Sequence, residues 1–416
     1  MAVPLLAAAL IVKDEAQNLP ECLAALNALR PLITEICVYD TGSTDGTQEI
    51  ARAAGATLSQ GYWDGDFARA RNEAIGMTNA KWVLIVDADE RVSADQAAVR
   101  RSLRAALTAA NGRVDALRVP CTNVEENGSD GVLWGSDRLF RRSRAHYVGA
   151  VHEQVMRLDG KPVVFDELSP RQILIRHHGY LDEKLLSDKL QRNLQIAEDE
   201  VAALPPGAPA ENLIRAYIDR ARSRVGAGDT EGGLADLEVV RATPSPSKYR
   251  LHGLQQYAGW LIDLERVDQA AEIIAELAEA PIHQSHTQWL TARILFLRGR
   301  HAEALTLLRA IDKLVGATGT VDVPRPLVEA RLKAAAITGE IDEAAACAVR
   351  LIADLGVVES YPRLLMTLWG DRELSVLAQI LVDSDRGYLS SALPAFEELG
   401  DRGQELAGLI RKKLAP

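Results

Sequence analysis

Residues 82–90, WVLIVDADE, read as a buried strand that leaves its sheet on carboxylates: residues 82–86 are apolar and Asp87-Ala88-Asp89-Glu90 follows at once. In an open α/β sheet the carboxyl ends of the strands are where ligands bind. Asp87 and Asp89 would share one face if the strand continued. Carboxylates crowded there repel one another unless a cation lies between them, and oxygen ligands suit Mg²⁺, Mn²⁺ or Ca²⁺. An acidic surface turn explains the same residues when they are taken alone, so the neighbouring elements decide.

Toward the N-terminus, residues 5–12 and 36–39 read as further strands, and Asn18 caps a helix to about residue 29 with Pro20 in its first turn. Residues 40–47, DTGSTDGT, form a loop, and residues 48–54 a short helix stopped by Gly55. Strands follow at 56–59 and 116–119, with Ser93-x-x-Gln96 a capping box for the helix between the acidic run and the latter. Beyond 119 the pattern loosens into Gly-rich loops with strands around Leu139, Val163 and residues 173–176. This alternation out to about Gly179 predicts an α/β domain with a Rossmann-like, mainly parallel sheet.

At 416 residues the chain is too long for one ordinary core and suggests two or three domains. Its 25% charged and 47% hydrophobic residues are those of a soluble globular protein. The net charge of -11 argues against a general binder of nucleic acid or anionic membranes, so any phosphate site is local. Cys22, Cys37, Cys121 and Cys347 are scattered without a C-x-x-C pair, which predicts free thiols in a reducing cytoplasm and no zinc site. Residues 3–12 imitate a signal-peptide core, but they lack a basic flank and run into Lys13-Asp14-Glu15, as a first strand would. No transmembrane span is expected.

After Leu204-Pro205-Pro206-Gly207 the strand signal ends and helical periodicity takes over. A spaced motif begins at Gly228, returns at Glu265, Gly299 and Gly339, and so recurs at steps of 37, 34 and 40 residues. These periods resemble tetratricopeptide repeats, paired helices of about 34 residues. Ala270, Ala304 and Ala344 would let the second helix of each pair approach the first. The expected organisation is an α/β domain over residues 1–204, ending in a connecting helix at about 181–204, followed by an all-α solenoid of about three to five helix pairs over 205–416.

The loop 40–47 faces the same sheet edge as Asp87 and Asp89. It is not a Walker loop. Its two carboxylates would repel phosphate, so Asp40 and Asp45 are better suited to accept hydrogen bonds from a base N–H or ribose hydroxyls, Asp45 also serving as a helix N-cap. Arg71-Asn72 opens a helix expected beside the acidic strand.

Together, residues 10–15 (LIVKDE), 40–47 (DTGSTDGT), 70–72 (ARN) and 87–90 (DADE) resemble the ordered motifs of family 2 glycosyltransferases with a GT-A fold. The attached repeats, Val151-His152-Glu153 and His177-His178-Gly179-Tyr180 look more like the branch containing peptide S-glycosyltransferases of the sublancin type. The resemblance implies that Glu15 and Asp40 hold the base and ribose of a nucleotide sugar, bordered by Arg71 and Asn72, with Gly42, Asp45 and Ala88 in the same donor pocket. Asp87 would contact the ribose and the metal side, and Asp89 would coordinate a divalent ion, Mg²⁺ or Mn²⁺, bridging the diphosphate. His177 matches the H-x-G-Y pattern; a neutral imidazole there could be a further metal or diphosphate ligand, or a structural histidine.

On the acceptor side, direct displacement by a hydroxyl needs a general base, and Glu153 with His152 beside it is the candidate, against a loop salt bridge. A thiol acceptor would need that help less. Arg138, Arg141, Arg142 and Arg144 with Trp134 could border diphosphate or acceptor, or form a solvated edge strand; Lys189-x-x-Arg192-Asn193 could close over the site or lie solvated. The expected activity is metal-dependent, inverting transfer from a UDP-sugar to a peptide, protein or glycan acceptor, with the repeats lining the acceptor cleft or mediating a homodimer. A nucleotidyltransferase and a non-catalytic repeat scaffold with a nucleotide-binding domain are the rivals.

Overall fold

A computed structural model of the chain describes residues 3–93, 96–110, 112, 114–124, 130–168, 172–178, 183–319, 324–357, 360–384 and 388–414. The chain divides into two compact units, Met1–Gly253 and Leu254–Pro416.

The first unit is built on strands β1 (Leu6–Val12), β2 (Ile33–Asp40), β3 (Thr57–Gln60), β4 (Trp82–Ile85), β5 (Glu90–Ser93), β6 (Ala116–Val124), β7 (Asp130–Arg141), β8 (Ala145–Val148), β9 (Gln154–Arg157), β10 (Phe165–Glu167) and β11 (Leu174–His177). The main sheet runs β3-β2-β1-β4-β7-β6-β11-β5, with β10 also on β6, while β8 and β9 form a separate ribbon. Strands β3, β2, β1 and β4 are parallel neighbours, as are β6 and β11. Strand β7 lies antiparallel between β4 and β6, and β5 antiparallel to β11. The sheet is therefore mainly parallel, as expected, with a long antiparallel β7 of which the sequence pattern showed only the segment around Leu139.

Both faces of the central strands are covered, which is why they read as continuous apolar runs rather than alternating ones. Alternate residues of β1 and β4 enter different cores. Leu6, Ala8, Leu10, Trp82 and Leu84 pack with Leu19, Cys22, Leu23 and Leu26 of α1 (Leu19–Ala28). Ala9, Val83 and Ile85 pack with Ala68, Ala70, Ala74 and Ile75 of α3 (Phe67–Gly76), which follows the short α2 (Thr47–Ala53). Each buried Leu or Ile contributes about 1.5–3 kcal/mol, so these two layers hold the strand ends in place.

Three local expectations differ. Asn18 occupies the N-cap of α1 but makes no capping bond; its amide donates to Glu15 Oε2 at 2.9 Å. Gly46, at φ 95°, is the N-cap of α2 in place of Asp45. The capping box expected for α4 (Gln96–Ala109) runs through residues 94 and 95, which lie outside the described residues. All four cysteines are buried free thiols.

Helices follow from residue 183 onward: α5 (Glu183–Ala202), α6 (Ala210–Gly226), α7 (Thr230–Ala242) and α8 (Lys248–Asp263). Then come α9 (Val267–Ala278), α10 (Ser285–Leu297), α11 (His301–Arg309), α12 (Arg325–Thr338), α13 (Ile341–Val349), α14 (Tyr361–Trp369), α15 (Leu374–Ser384), α16 (Leu389–Glu397) and α17 (Asp401–Leu414). The compact units divide at Gly253/Leu254, so α5, α6 and α7 pack as part of the first unit. Each occurrence of the spaced motif is the turn into the second helix of a pair, at α6/α7, α8/α9, α10/α11 and α12/α13. Ala270, Ala304 and Ala344 are fully buried, as close helix approach requires. Among the described residues no helix is long and apolar enough to cross a membrane.

Candidate active site

Strand β4 ends beside β1, and the chain turns at once: Glu90 N–H donates to Asp87 O at 3.0 Å, and β5 starts. The turn brings Asp87, Asp89 and Glu90 to one sheet edge, and each carboxylate is matched differently.

Asp87 is gripped by two guanidiniums. Arg71 Nη1 donates to its Oδ1 at 2.9 Å, and Arg138 Nη2 to its Oδ2 at 3.1 Å. Burial works against its charge, yet Arg71 and Arg138 hold the carboxyl well below the usual range. Arg71 also donates from Nε to Glu153 Oε1 at 2.6 Å, and Arg138 from Nη1 to Glu90 Oε2. Glu90 is buried and accepts from Asp87 N–H at 2.8 Å; burial pushes it up to about 7, Arg138 opposing and Asp87 adding to the rise. The result is a chain of alternating charges, Glu153–Arg71–Asp87–Arg138–Glu90. A second metal ligand was expected at Asp87; each of its oxygens accepts from an arginine, so an ion there would share them with Arg71 and Arg138.

Asp89 is matched by softer partners. Lys189 Nζ on α5 donates to its Oδ2 at 2.9 Å, and His177 Nε2 lies 3.3 Å from the same oxygen. His177 is delivered by register, since β11 places it opposite Glu90 in the antiparallel pair with β5. Burial acts to raise Asp89, but the bonds from His177 and Lys189 outweigh it and hold it at about 2. His178 N–H donates to Asp89 O at 2.9 Å, while Gly179 and Tyr180 lie outside the described residues. Ala88 is buried within the turn.

The loops after β1 and β2 are stitched into one wall. Asp14 N–H donates to Ser43 Oγ at 2.9 Å, Thr44 N–H to Asp14 Oδ1 at 2.7 Å, and Ala16 N–H to Asp45 Oδ2 at 2.9 Å. Asp45 also accepts from Thr47 N–H at 3.0 Å, so its oxygens organise the loop. Asp14, at φ 53°, lies in the LIVKDE run but was given no role there; its left-handed backbone, which Asp tolerates, is what lets it tie the two loops. Glu15 is raised by burial first, with the charges of Asp89 and Asp87 adding, which places it in the same field.

Asp40 is fully buried at the end of β2. Its Oδ1 accepts from Gly42 N–H at 2.6 Å and Ser43 N–H at 2.7 Å, while Oδ2 is buried with no hydrogen-bond partner among the described residues. An unsatisfied buried acceptor costs about 1–3 kcal/mol, and a ligand N–H or O–H would recover it.

Other expected residues are placed elsewhere. Asn72, expected to border the donor pocket, exchanges two bonds with the backbone of Tyr147, at 2.9 and 3.0 Å, so its amide anchors β8. His152 was paired with Glu153 as a catalytic candidate, but its Nε2 lies 3.0 Å from Ser223 Oγ on α6, and burial pushes it down to about 4. Of the arginine cluster, only Arg138 joins the site. Arg141 lies over Trp82 and bonds to carbonyls of Val114 and Ala110, Arg142 bonds to Asn79, and Arg144 to Asp115.

Residues 8–106 match the family model of glycosyl transferase family 2, and so carry a domain of that family. A TPR repeat-containing protein of Synechococcus elongatus is 31% identical over 198 residues, covering 45% of this chain and 46% of that protein. The SPbeta prophage-derived glycosyltransferase SunS of Bacillus subtilis is 26% identical over 215 residues, covering 50% of this chain and 47% of that one. The chain thus spans about half the length of these curated relatives. A crystal structure of S. aureus TarS 1-349 in complex with UDP-GlcNAc covers 60% of this chain and 86% of its own, at 15% identity and a TM-score of 0.37.

Proposed function

Taking residues 8–106 as a family 2 glycosyltransferase domain, we propose that the protein transfers a sugar, with inversion, from a nucleotide sugar to an acceptor in a metal-dependent reaction. The observation that carries the reading is the orphaned Oδ2 of Asp40, a buried acceptor at the end of β2, which β1 alone separates from β4 and its acidic turn. The N–H of a base or a ribose hydroxyl satisfies it, and uracil, with one imide N–H, suits a single acceptor. This favours a UDP-sugar.

Asp89 and His177 would hold the divalent ion. Their ligating atoms are 3.3 Å apart, close to the roughly 3 Å between adjacent ligands of a six-coordinate Mg²⁺ or Mn²⁺. Few protein ligands are needed because diphosphate oxygens and water complete the shell. The ion supplies Lewis-acid neutralisation of the charge that grows on the leaving diphosphate. Asp87, pinned by Arg71 and Arg138, fixes the turn that aims Asp89 and faces the ribose.

On the acceptor side Arg71 binds one oxygen of Glu153 and leaves the other without a protein hydrogen bond among the described residues. That oxygen takes the acceptor proton as the new bond to the anomeric carbon forms and the bond to diphosphate breaks, an assistance worth about 10² to 10⁴. A peptide or protein side chain is the acceptor class favoured by the likeness of residues 151–153 and 177–178 to the peptide branch of the family, and helical repeats offer extended surfaces for such a partner or for a second copy. The test is a thermal-shift screen of nucleotide sugars with Mn²⁺. A selective, metal-dependent rise with one base is expected, and no rise with any nucleotide sugar overturns the reading.

A further inference from the structure

The site holds several cations, and they differ in how free they are to meet a ligand. Arg71 is committed to Asp87 and Glu153, and Arg138 to Asp87 and Glu90; their side chains are 9% and 21% exposed. Releasing either would strand two carboxylates in a poorly solvated place, which costs several kcal/mol. Lys189 is different. Among the described residues its Nζ donates to Asp89 Oδ2 alone, at 2.9 Å, and its side chain is 31% exposed on a flexible four-carbon stem. Its partner is the carboxylate that best fits a divalent ion. An ammonium and a dication cannot share one oxygen comfortably, so the arrival of the ion frees the lysine beside the place where diphosphate charge collects. Arg192 stands one turn further along α5, its guanidinium 5.0 Å from the Phe67 ring and within electrostatic reach of Asp87 and Glu153. Helix α5 thus presents two cations at a carboxylate-rich edge, although it lies beyond residue 106, where the match to the family model ends.

We infer that Lys189 is the resident counter-cation of Asp89, displaced when the divalent ion binds and then turned onto the donor diphosphate. The inference rests on the nucleotide-sugar reading, and it makes two predictions of opposite sign. Without nucleotide, Lys189 competes with the metal, so Lys189→Met tightens Mn²⁺ binding to the full-length protein by about tenfold, the scale of one charge-assisted hydrogen bond. With Mn²⁺ present, the same variant loses a diphosphate contact, so UDP binds about tenfold more weakly while uridine is unchanged. Lys189→Arg keeps the charge and restores most of the UDP affinity.

Calorimetric titration of Mn²⁺ alone, and of UDP and uridine with Mn²⁺, reads all of this without turnover. A merely structural lysine would weaken every ligand together. If wild type binds UDP and Lys189→Met binds Mn²⁺ or UDP unchanged, or loses uridine equally, the inference is overturned and the proposed function stands. If wild type binds no UDP, the proposed function falls, and the diphosphate half of the inference falls with it.

Discussion

The carboxyl edge of the first unit's sheet and the turns between paired helices are built on opposite principles. At the sheet edge, residues far apart in sequence meet in bonds that occur once: Arg71 with Asp87 and Glu153, Arg138 with Asp87 and Glu90, Lys189 with Asp89. At the turns the same two backbone bonds return four times. Gly228, Glu265, Gly299 and Gly339 donate to carbonyls three residues back, and the residues after them to carbonyls five back. Substitution at the edge removes something that no neighbour duplicates, whereas a turn is one small increment among several. Four changes probe that difference.

The largest effect belongs to Asp89. Asp89→Asn keeps the size of the side chain and removes the charge that would hold the ion, so release of UDP from a UDP-sugar should fall by about 10³, roughly 4 kcal/mol in the barrier. Weakened bonds to Lys189 and His177 should cost about 1–3 kcal/mol in urea unfolding, so UDP release is read well below the transition. Unchanged UDP release would mean that the edge is not where the metal acts.

Arg71→Met comes next, and it strikes the fold as well. It leaves Glu153 without its guanidinium and Asp87 with only Arg138, inside a site where Arg71 is 8% exposed. Breaking one member of a buried ion network costs about 3–5 kcal/mol, and the lower end is expected because Arg138 remains. Urea midpoints of wild type, Arg71→Met and Arg71→Lys give the comparison, the lysine variant falling between. A loss below about 1 kcal/mol would place the network in the class of weak surface pairs.

Legibility in the sequence follows the same divide. Strands β1 and β4 stood out because burial on both faces makes them continuous apolar runs, and the acidic turn stood out because Asp87 and Asp89 follow such a run directly. The helix pairs were legible because their turns repeat. Most of β7 was hidden, since a strand pairing antiparallel to β4 and β6 leaves no spaced signature of its own, and polar residues such as Asp137 and Arg138 interrupt it. Arg71, Arg138, His177 and Lys189 could be named as candidates, but which carboxylate each would meet was hidden: Lys189 lies 100 residues from Asp89, and only the fold pairs them. His152 and Glu153 are neighbours in sequence but meet different partners, Ser223 and Arg71. At φ 52° the His152 ring meets Ser223, 71 residues away, and nothing local announces a left-handed histidine.

That histidine gives the third change. Burial first, with Arg222 adding, holds His152 near 4, below the 6.5 of a free imidazole. A depressed histidine is neutral in the fold, so its contribution is full above pH 6.5 and is lost as the pH falls toward 4, where the unfolded chain takes the proton first. Asn tolerates left-handed backbone and can bond to Ser223, yet it does not titrate. The stability advantage of wild type over His152→Asn should therefore shrink by about 2 kcal/mol between pH 7 and pH 5. A difference that is constant with pH would show that the ring is not kept neutral by its burial.

The smallest change tests the repeats. The first position of all four turns has left-handed backbone, with φ of 91°, 56°, 72° and 80° at residues 228, 265, 299 and 339. Three are glycine, and Glu265 alone carries a side chain there, at a cost of about 1–2 kcal/mol. Glu265→Gly removes that strain but enlarges the conformational freedom of the unfolded chain, which takes back about 0.4–1 kcal/mol. The net expectation is stabilisation by about 0.5 kcal/mol, with the reverse change at an equivalent turn, Gly299→Ala, destabilising by about 1 kcal/mol. Opposite signs at equivalent turns, read from urea midpoints of the full chain, would show that the four are governed by one backbone geometry. If Glu265→Gly destabilises instead, its side chain contributes something the glycine turns lack, and the turns cease to be copies of one another.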